Sequence, residues 1–237
     1  MIGENLWVYL SQSPLLWLTV TLAAYLFGQG IYQACGRKAW ANPLLLSIAL
    51  VIAILLATGT SYETYFEGAQ FVHFLLGPVT VALAVPLYRN LAQVRRALWP
   101  IVAALLAGSL TAIVSGVGLA WLLGADLETL LSLAPKSITT PIAMGVAEEI
   151  GGLPSLTAVL VVLTGTLGAL IALPLFKLLG VRESAARGFA LGLSAHGIGT
   201  ARAFTVDDLA GSFAGLAMGL NALVTAIFVP LLLPLLN

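Results

Sequence analysis

The chain has 237 residues, 60% of them hydrophobic and 8% charged, with ten Lys and Arg balanced by ten Asp and Glu. A soluble domain carries about a quarter charged residues, so this composition excludes a water-exposed globule and indicates an integral membrane protein. Neutral charge balance leaves no electrostatic footprint for nucleic acid, and a single cysteine, Cys35, excludes a disulfide framework and a cysteine-based metal site.

The few charges act as punctuation. A helix that crosses lipid needs about 20 mostly apolar residues. The uncharged intervals predict six such spans, near 15–34, 43–60, 71–88, 98–123, 154–179 and 209–236, in one all-α polytopic domain covering 1–237. The stretch MIGENLWVYLSQ has Glu4 and no Lys or Arg ahead of its apolar run, so the first span reads as retained rather than as a cleavable signal. Arg37 and Lys38, then Arg89, Arg95 and Arg96, then Lys177, Arg182 and Arg187 fall in alternate connections; Glu4, Glu63 with Glu67, and Asp126 with Glu128 occupy the others. Lys and Arg mark the cytoplasmic side, which places the amino terminus outside a plasma membrane, and Trp40, Trp99 and Trp121 at span ends fit an interfacial belt.

This topology requires the segment between the fourth and fifth spans to enter and leave on one side. The segment, LSLAPKSITTPIAMGVAEEIGG, predicts a re-entrant element over 131–151. Pro141 suits a first helical turn with Thr139 or Thr140 as N-cap, and Gly151-Gly152 ends the helix. Residues 141–150 rise about 15 Å, half of a hydrocarbon core of roughly 30 Å. The amino end of that half-helix would then present unpaired N–H groups beside Lys136, Ser137, Thr139 and Thr140, an arrangement that attracts anions. Pro135 and Pro141 are the structural breakers.

A second interrupted segment, ARGFALGLSAHGIGTARAF, covers 186–204. Gly197 and Gly199 just after His196 predict a helix break there, followed by Thr200 and Arg202. Irregular backbone at membrane depth survives only when buried in protein or lining a wet cavity. Two breaks entering from opposite sides are what secondary transporters use around a midplane site. The candidate substrate-binding set is therefore Lys136, Ser137, Thr139, Thr140, His196, Thr200 and Arg202, with Asn221, a polar residue inside the last span that needs a partner. The bland alternatives are a Lys136 that snorkels to the interface and a His196 that braces its loop.

Other patterns point to structure. Gly211, Gly215 and Gly219, and the pair Gly188 and Gly192, are spaced for close helix packing, within the chain or across a dimer. Thr205 and Asp208 match a capping box. A short echo, V102-x3-L106-x-G108 with V159-x3-L163-x-G165, hints at an internal repeat. GLSAHG lacks the final glycine of a nucleophile elbow, so no enzyme is expected; two His without a Cys cluster argue against a metal, and no cofactor is implied.

The stretches FLLGPVTVALAVPLY at 74–88, PKSITTPIAMGVAEEIGGLPSLTAV at 135–159 and LSAHGIGTARAF at 193–204 resemble the LrgB/CidB membrane protein family. That family includes antiholin-like proteins and the carboxyl-terminal part of the plastidial glycolate/glycerate translocator. The resemblance implies either a secondary carrier of small carboxylates such as glycolate, glycerate or pyruvate, with an elevator-like architecture, or a holin-type modulator of murein hydrolase export and autolysis. It also implies a small LrgA/CidA-type membrane partner in the bacterial inner membrane. By position it carries over Lys136, Ser137, Thr139, Thr140 and Pro141, and His196, Gly197, Gly199, Thr200 and Arg202.

Overall fold

A computed structural model describes residues 13–36, 41–75, 78, 81–82 and 84–232, and no strand occurs among them. The expectations placed on Glu4, Arg37, Lys38 and Trp40 lie outside the described residues. The chain divides into two compact units, 1–82 and 83–237.

The first unit holds α1 (Pro14–Ala34), α2 (Pro43–Thr58) and α3 (Tyr62–Phe74). Both α1 and α2 open with proline, whose missing N–H costs nothing in a first turn. Asn42 caps α2 by accepting from the Leu44 N–H at 2.9 Å. Trp17 is fully buried. It meets Tyr65 edge-on at 5.9 Å between ring centroids, and the Tyr65 hydroxyl lies 3.1 Å from that of Thr21.

The second unit contains α4 (Ala84–Arg89), α5 (Leu91–Arg96), α6 (Leu98–Leu122), α7 (Leu127–Leu133), α8 (Thr140–Glu149), α9 (Pro154–Leu178), α10 (Ser184–Phe204) and α11 (Asp208–Leu232). The three long helices, α6, α9 and α11, each have 25 residues. Trp99 and Trp121 are exposed near the two ends of α6. They are separated by about 33 Å of helix, which matches a hydrocarbon layer of roughly 30 Å with its interfaces.

Among the described residues four helices are long and apolar enough to cross a membrane: α1, α6, α9 and, over Asp208–Leu231, α11. The chain is therefore an all-helical membrane protein. The expected span at 43–60 is the 16-residue α2, shorter than the others. The expected span at 71–88 is not one described helix: α3 ends at Phe74 and α4 begins at Ala84, with 76, 77, 79, 80 and 83 outside the described residues.

Between the long helices the chain makes two hairpins. Ser132 on α7 takes the Leu153 N–H on its hydroxyl at 2.7 Å and the Thr157 hydroxyl on its carbonyl at 2.9 Å. The α7–α8 segment thus returns to its own level before α9 starts. In α10 the turn falls at His196 (φ 41°, ψ −130°). Gly199 doubles back against the Leu191 carbonyl, where a Cβ would collide. The Ser184 hydroxyl donates to the Asp207 carboxylate at 2.7 Å, joining the two ends of this second hairpin. Because α9 starts at the mouth of the first hairpin and ends at the mouth of the second, the two open on opposite faces of the unit.

Packing of α10 on α11 rests on missing side chains. A Cβ on Gly188 or Gly192 would run into the carbonyls of Ala210 and Ala214. The close packing expected of Gly188 and Gly192 is found here, against an alanine face of α11, and of the Gly211, Gly215 and Gly219 stripe it is Gly211 that packs tightly on α10. Gly219 faces open space and Gly211 meets the Phe204 ring. The expected Thr205–Asp208 capping box is also corrected. Thr205 still belongs to the α10 terminal turn and donates to the Arg202 carbonyl at 2.7 Å, whereas Asp207 caps α11 through the Ala210 N–H at 2.7 Å.

Two predictions follow from this packing. Gly→Ala normally favours a helix interior by about 1 kcal/mol, but Gly192→Ala forces α10 off α11 and is expected to cost about 1–3 kcal/mol, read as a lower Tm of the detergent-solubilised protein. The backbone N–H of Ala210 and then the Ser184 hydroxyl hold the Asp207 carboxyl below its ordinary value, with a smaller contribution from Arg187. A depressed carboxyl stabilises above the unfolded pKa of about 3.9 and loses that contribution as pH falls through the folded value. Asp207→Asn should therefore flatten the acid limb of Tm against pH below about pH 5 and leave its neutral limb parallel to that of the parent protein.

Candidate functional site

The tips of the two hairpins meet on one side chain. Asn221 is buried in the middle of α11, 1% exposed. Its Nδ2 donates to the Leu193 carbonyl at 2.9 Å and to the Ser137 carbonyl at 3.3 Å. Its Oδ1 accepts from the Ser109 hydroxyl on α6 at 2.5 Å and the Thr225 hydroxyl at 3.4 Å. Leu193 lies just before the α10 break, where the turn at His196 interrupts the ladder that would otherwise serve its carbonyl. Ser137 is in the turn before α8. One amide thus supplies hydrogen bonds to both interruptions.

Two further side chains brace the tips. The Lys136 Nζ donates to the Ala112 carbonyl of α6 at 2.7 Å. His196 Nε2 lies 3.0 Å from the Val161 carbonyl of α9; a carbonyl only accepts, so this nitrogen carries the proton. In both cases the residue four positions beyond the carbonyl is glycine. A Cβ on Gly116 would collide with the Lys136 amine, and one on Gly165 would lie 2.7 Å from the His196 ring. Residues i and i+4 lie one above the other on a helix face, so glycine there uncovers the second lone pair of the carbonyl.

Around this centre the predicted residues divide. Lys136, Ser137, His196 and Asn221 are drawn to the paired tips, and Thr139 and Thr140, both half-buried, lie where α8 begins. Thr139 occupies the N-cap position with extended backbone but makes no side-chain cap bond, and Pro141 sits in the first turn. Thr200 is buried and its hydroxyl donates to the His196 carbonyl at 2.9 Å, with the Met218 sulfur 3.8 Å away. Arg202 stands apart in the last turn of α10, its guanidinium 3.4 Å from the Thr205 hydroxyl. Six residues past the tip place it about 9 Å along the returning arm, where a cation complements the helix carboxyl end.

The break expected at Gly197 and Gly199 falls on His196, which among the described residues is the non-glycine residue with positive φ. The His196 imidazole, anchored to α9, holds this strained backbone. Gly199 is needed for the approach of the Leu191 carbonyl, and Gly197 is exposed. Pro135 is fully buried in the turn and Pro141 exposed at the first turn of α8. The roles of Ser109, Ser132, Thr157 and Gly116 were not read from the sequence, which marked Gly165 only within the internal echo. The signal for Ser109 was the same as for Asn221, a polar residue inside a predicted span. Among the described residues no group of three or more His, Cys, Asp or Glu could hold a metal ion.

A model of the LrgB-like family matches residues 21–235. The uncharacterized protein YwbG of Bacillus subtilis is 38% identical over 216 residues, 91% of this chain and 96% of its own length. The holin-like protein CidB of Staphylococcus epidermidis is 31% identical over 192 residues, 81% of this chain and 84% of its own. The antiholin-like protein LrgB of Bacillus mycoides is 27% identical over 224 residues, 94% and 97% of the two chains. No solved structure matches the chain.

Removing the shared amide should loosen both tips together. Asn221→Ala leaves the Ser109 hydroxyl and two tip carbonyls short of a partner, and about 1–3 kcal/mol of stability is expected to go with them. Ser109→Ala should cost less, and a double-mutant cycle between the two positions should return a non-zero coupling in the denaturation midpoint.

Proposed function

Because the chain belongs to the LrgB-like family, we propose that it works in a bacterial inner membrane as a holin-like or antiholin-like protein that modulates murein hydrolase export and autolysis, together with a small LrgA/CidA-type membrane protein. The observation that carries this reading is the near full-length similarity to proteins described as holin-like CidB and antiholin-like LrgB. Expression of the chain in a bacterium, alone and with such a partner, tests it: released murein hydrolase activity should change several-fold, and an unchanged zymogram and lysis rate would overturn it.

One observation favours a second reading, the transport of a small carboxylate. Hairpins that open on opposite faces and share Asn221 at their tips are the arrangement by which secondary transporters build a midplane site, with helix amino ends aimed at anionic groups. In this reading the first turn of α8, with Ser137, Thr139 and Thr140, holds the carboxylate of a glycolate-, glycerate- or pyruvate-like solute. Lys136, one residue from Ser137, supplies the countercharge. Arg202, placed at the base of the second hairpin, is left to the helix end. An elevator-like displacement belongs to this reading, whereas the dimer and the external amino terminus rest separately on the glycine spacing and on the distribution of Lys and Arg.

Proteoliposomes separate the two readings. A carrier takes up labelled glycolate, glycerate or pyruvate saturably, and Thr140→Val lowers that uptake by about tenfold, the loss of roughly 1.4 kcal/mol of binding, without moving Tm. A holin-like protein instead leaks unrelated solutes such as sucrose in parallel, and Thr140→Val leaves that leak unchanged.

A further inference from the structure

A cavity of about 670 Å³ lies in the second unit between α6, α9 and the first arm of α10. Its existence has a sequence cause. Ala104 and Gly108 on α6, Gly168 on α9 and Ala186 and Ala190 on α10 line it and have almost no side chain to fill it. Its lining is apolar, and the hydroxyl of Ser194 within it already donates to the Ala190 carbonyl at 2.7 Å. A groove of this kind offers a ligand burial of hydrocarbon and few hydrogen bonds.

Length and charge identify the occupant. From Ala97 to Gly108 the groove follows α6 for about 16 Å, close to half of a hydrocarbon core of roughly 30 Å, the depth of one leaflet. Leu193 closes the inner end, its methyl 2.9 Å from where a Gly108 Cβ would be. At the other end Ala97 follows directly on Arg95 and Arg96, both exposed in the last turn of α5, and Trp99 beside them is 81% exposed. An exposed tryptophan next to arginines marks the headgroup level, and guanidinium is the side chain best shaped for phosphate. Glu183 is exposed at the same mouth, outnumbered by the two arginines. We infer that this groove binds one acyl chain of a phospholipid from the leaflet on the Arg95 and Arg96 side, with the lipid phosphate held by those two arginines.

The full chain, reconstituted in vesicles of phosphatidylethanolamine and phosphatidylglycerol with a trace of phospholipid carrying a photoreactive acyl chain, tests this. Labelling should concentrate on peptides covering 97–108 and 185–194. Ala104→Phe and Ala190→Phe fill the groove from exposed positions, which keeps the fold, as an unchanged Tm checks; each should lower labelling there by about tenfold. Replacing Arg95 and Arg96 together by Ala should lower it for the phospholipid probe but not for a photoreactive free fatty acid. Even labelling along α6 and α9, labelling indifferent to the Phe variants, or a fatty-acid probe that matches the phospholipid whether or not the arginines are present would each overturn the inference. So would rapid disulfide formation between copies carrying Ala104→Cys, which assigns the groove to a second copy.

Discussion

The hairpin core of the second unit depends on the hydrogen-bonding capacity of one amide. An asparagine side chain has two N–H donors and two acceptor lone pairs, and Asn221 uses all four, on Ser137, Leu193, Ser109 and Thr225. The constraint behind this is the membrane itself. With no water to hydrate a freed carbonyl, interrupting a helix at membrane depth costs several kcal/mol per unsatisfied group unless protein supplies the partner. Two interruptions that meet at one fully satisfied residue meet that requirement with a single polar side chain, and they fix the register of α6, α11 and both hairpins against one another.

The same requirement explains the two basic side chains at the tips. A lone cation inside hydrocarbon costs about 2.5–3.5 kcal/mol on insertion scales and needs a partner. Among the described residues Lys136 finds one in the Ala112 carbonyl and His196 in that of Val161, each uncovered by a glycine one turn further along. A helix carbonyl already in the ladder still has a second lone pair, so bracing from the side costs α6 and α9 no internal bond. Bracing and solute binding are not exclusive for Lys136, whose ammonium has three donors. For His196 the proton on Nε2 is committed to α9, which leaves Nδ1 as the ring atom with chemistry to offer.

Much of this was legible in the sequence, for reasons that can be stated residue by residue. Charge spacing exposed α1, α6, α9 and α11, because a crossing helix excludes charge over its whole length. Pro141 and Gly151 bounded α8, since proline and glycine act locally on the backbone. Asn221 stood out as polar within an apolar run. What stayed hidden depends on distant residues. Nothing near Ala112 says that Lys136 will lie on it, and Gly116 and Gly165 look like any other glycine among 24. The break fell on His196 rather than on the neighbouring glycines because a bond to α9, remote in sequence, outweighs local conformational preference. Arg202 is half-buried in the last turn of α10 with its Nε shielded from solvent, and how far from the tip it lies is set by where the helix breaks, at His196.

The two hairpins are held unequally, and this bears on which of them can move. The second is tied by the 2.9 Å bond from Asn221, by His196 to Val161, by Thr200 beneath the turn, and by the glycine seam of α10 on α11, which admits no side chain between the helices. Its base is closed by Ser184 and Asp207. The first is fastened at its base by Ser132, on α6 by Lys136 and on α11 by the packing of Ile138 and Ala143 on Ala222, but the hydrogen bond from α11 to its tip is one of 3.3 Å. An N–H···O distance at that length is past the favoured range and correspondingly weak. Any opening between the tips therefore separates Ser137 from Asn221 before it separates Leu193. Asn221 then stays with the second hairpin and α11, and the freed N–H points at the start of α8. The residue that joins the tips when they meet is thus the one left presenting a donor between them when they part.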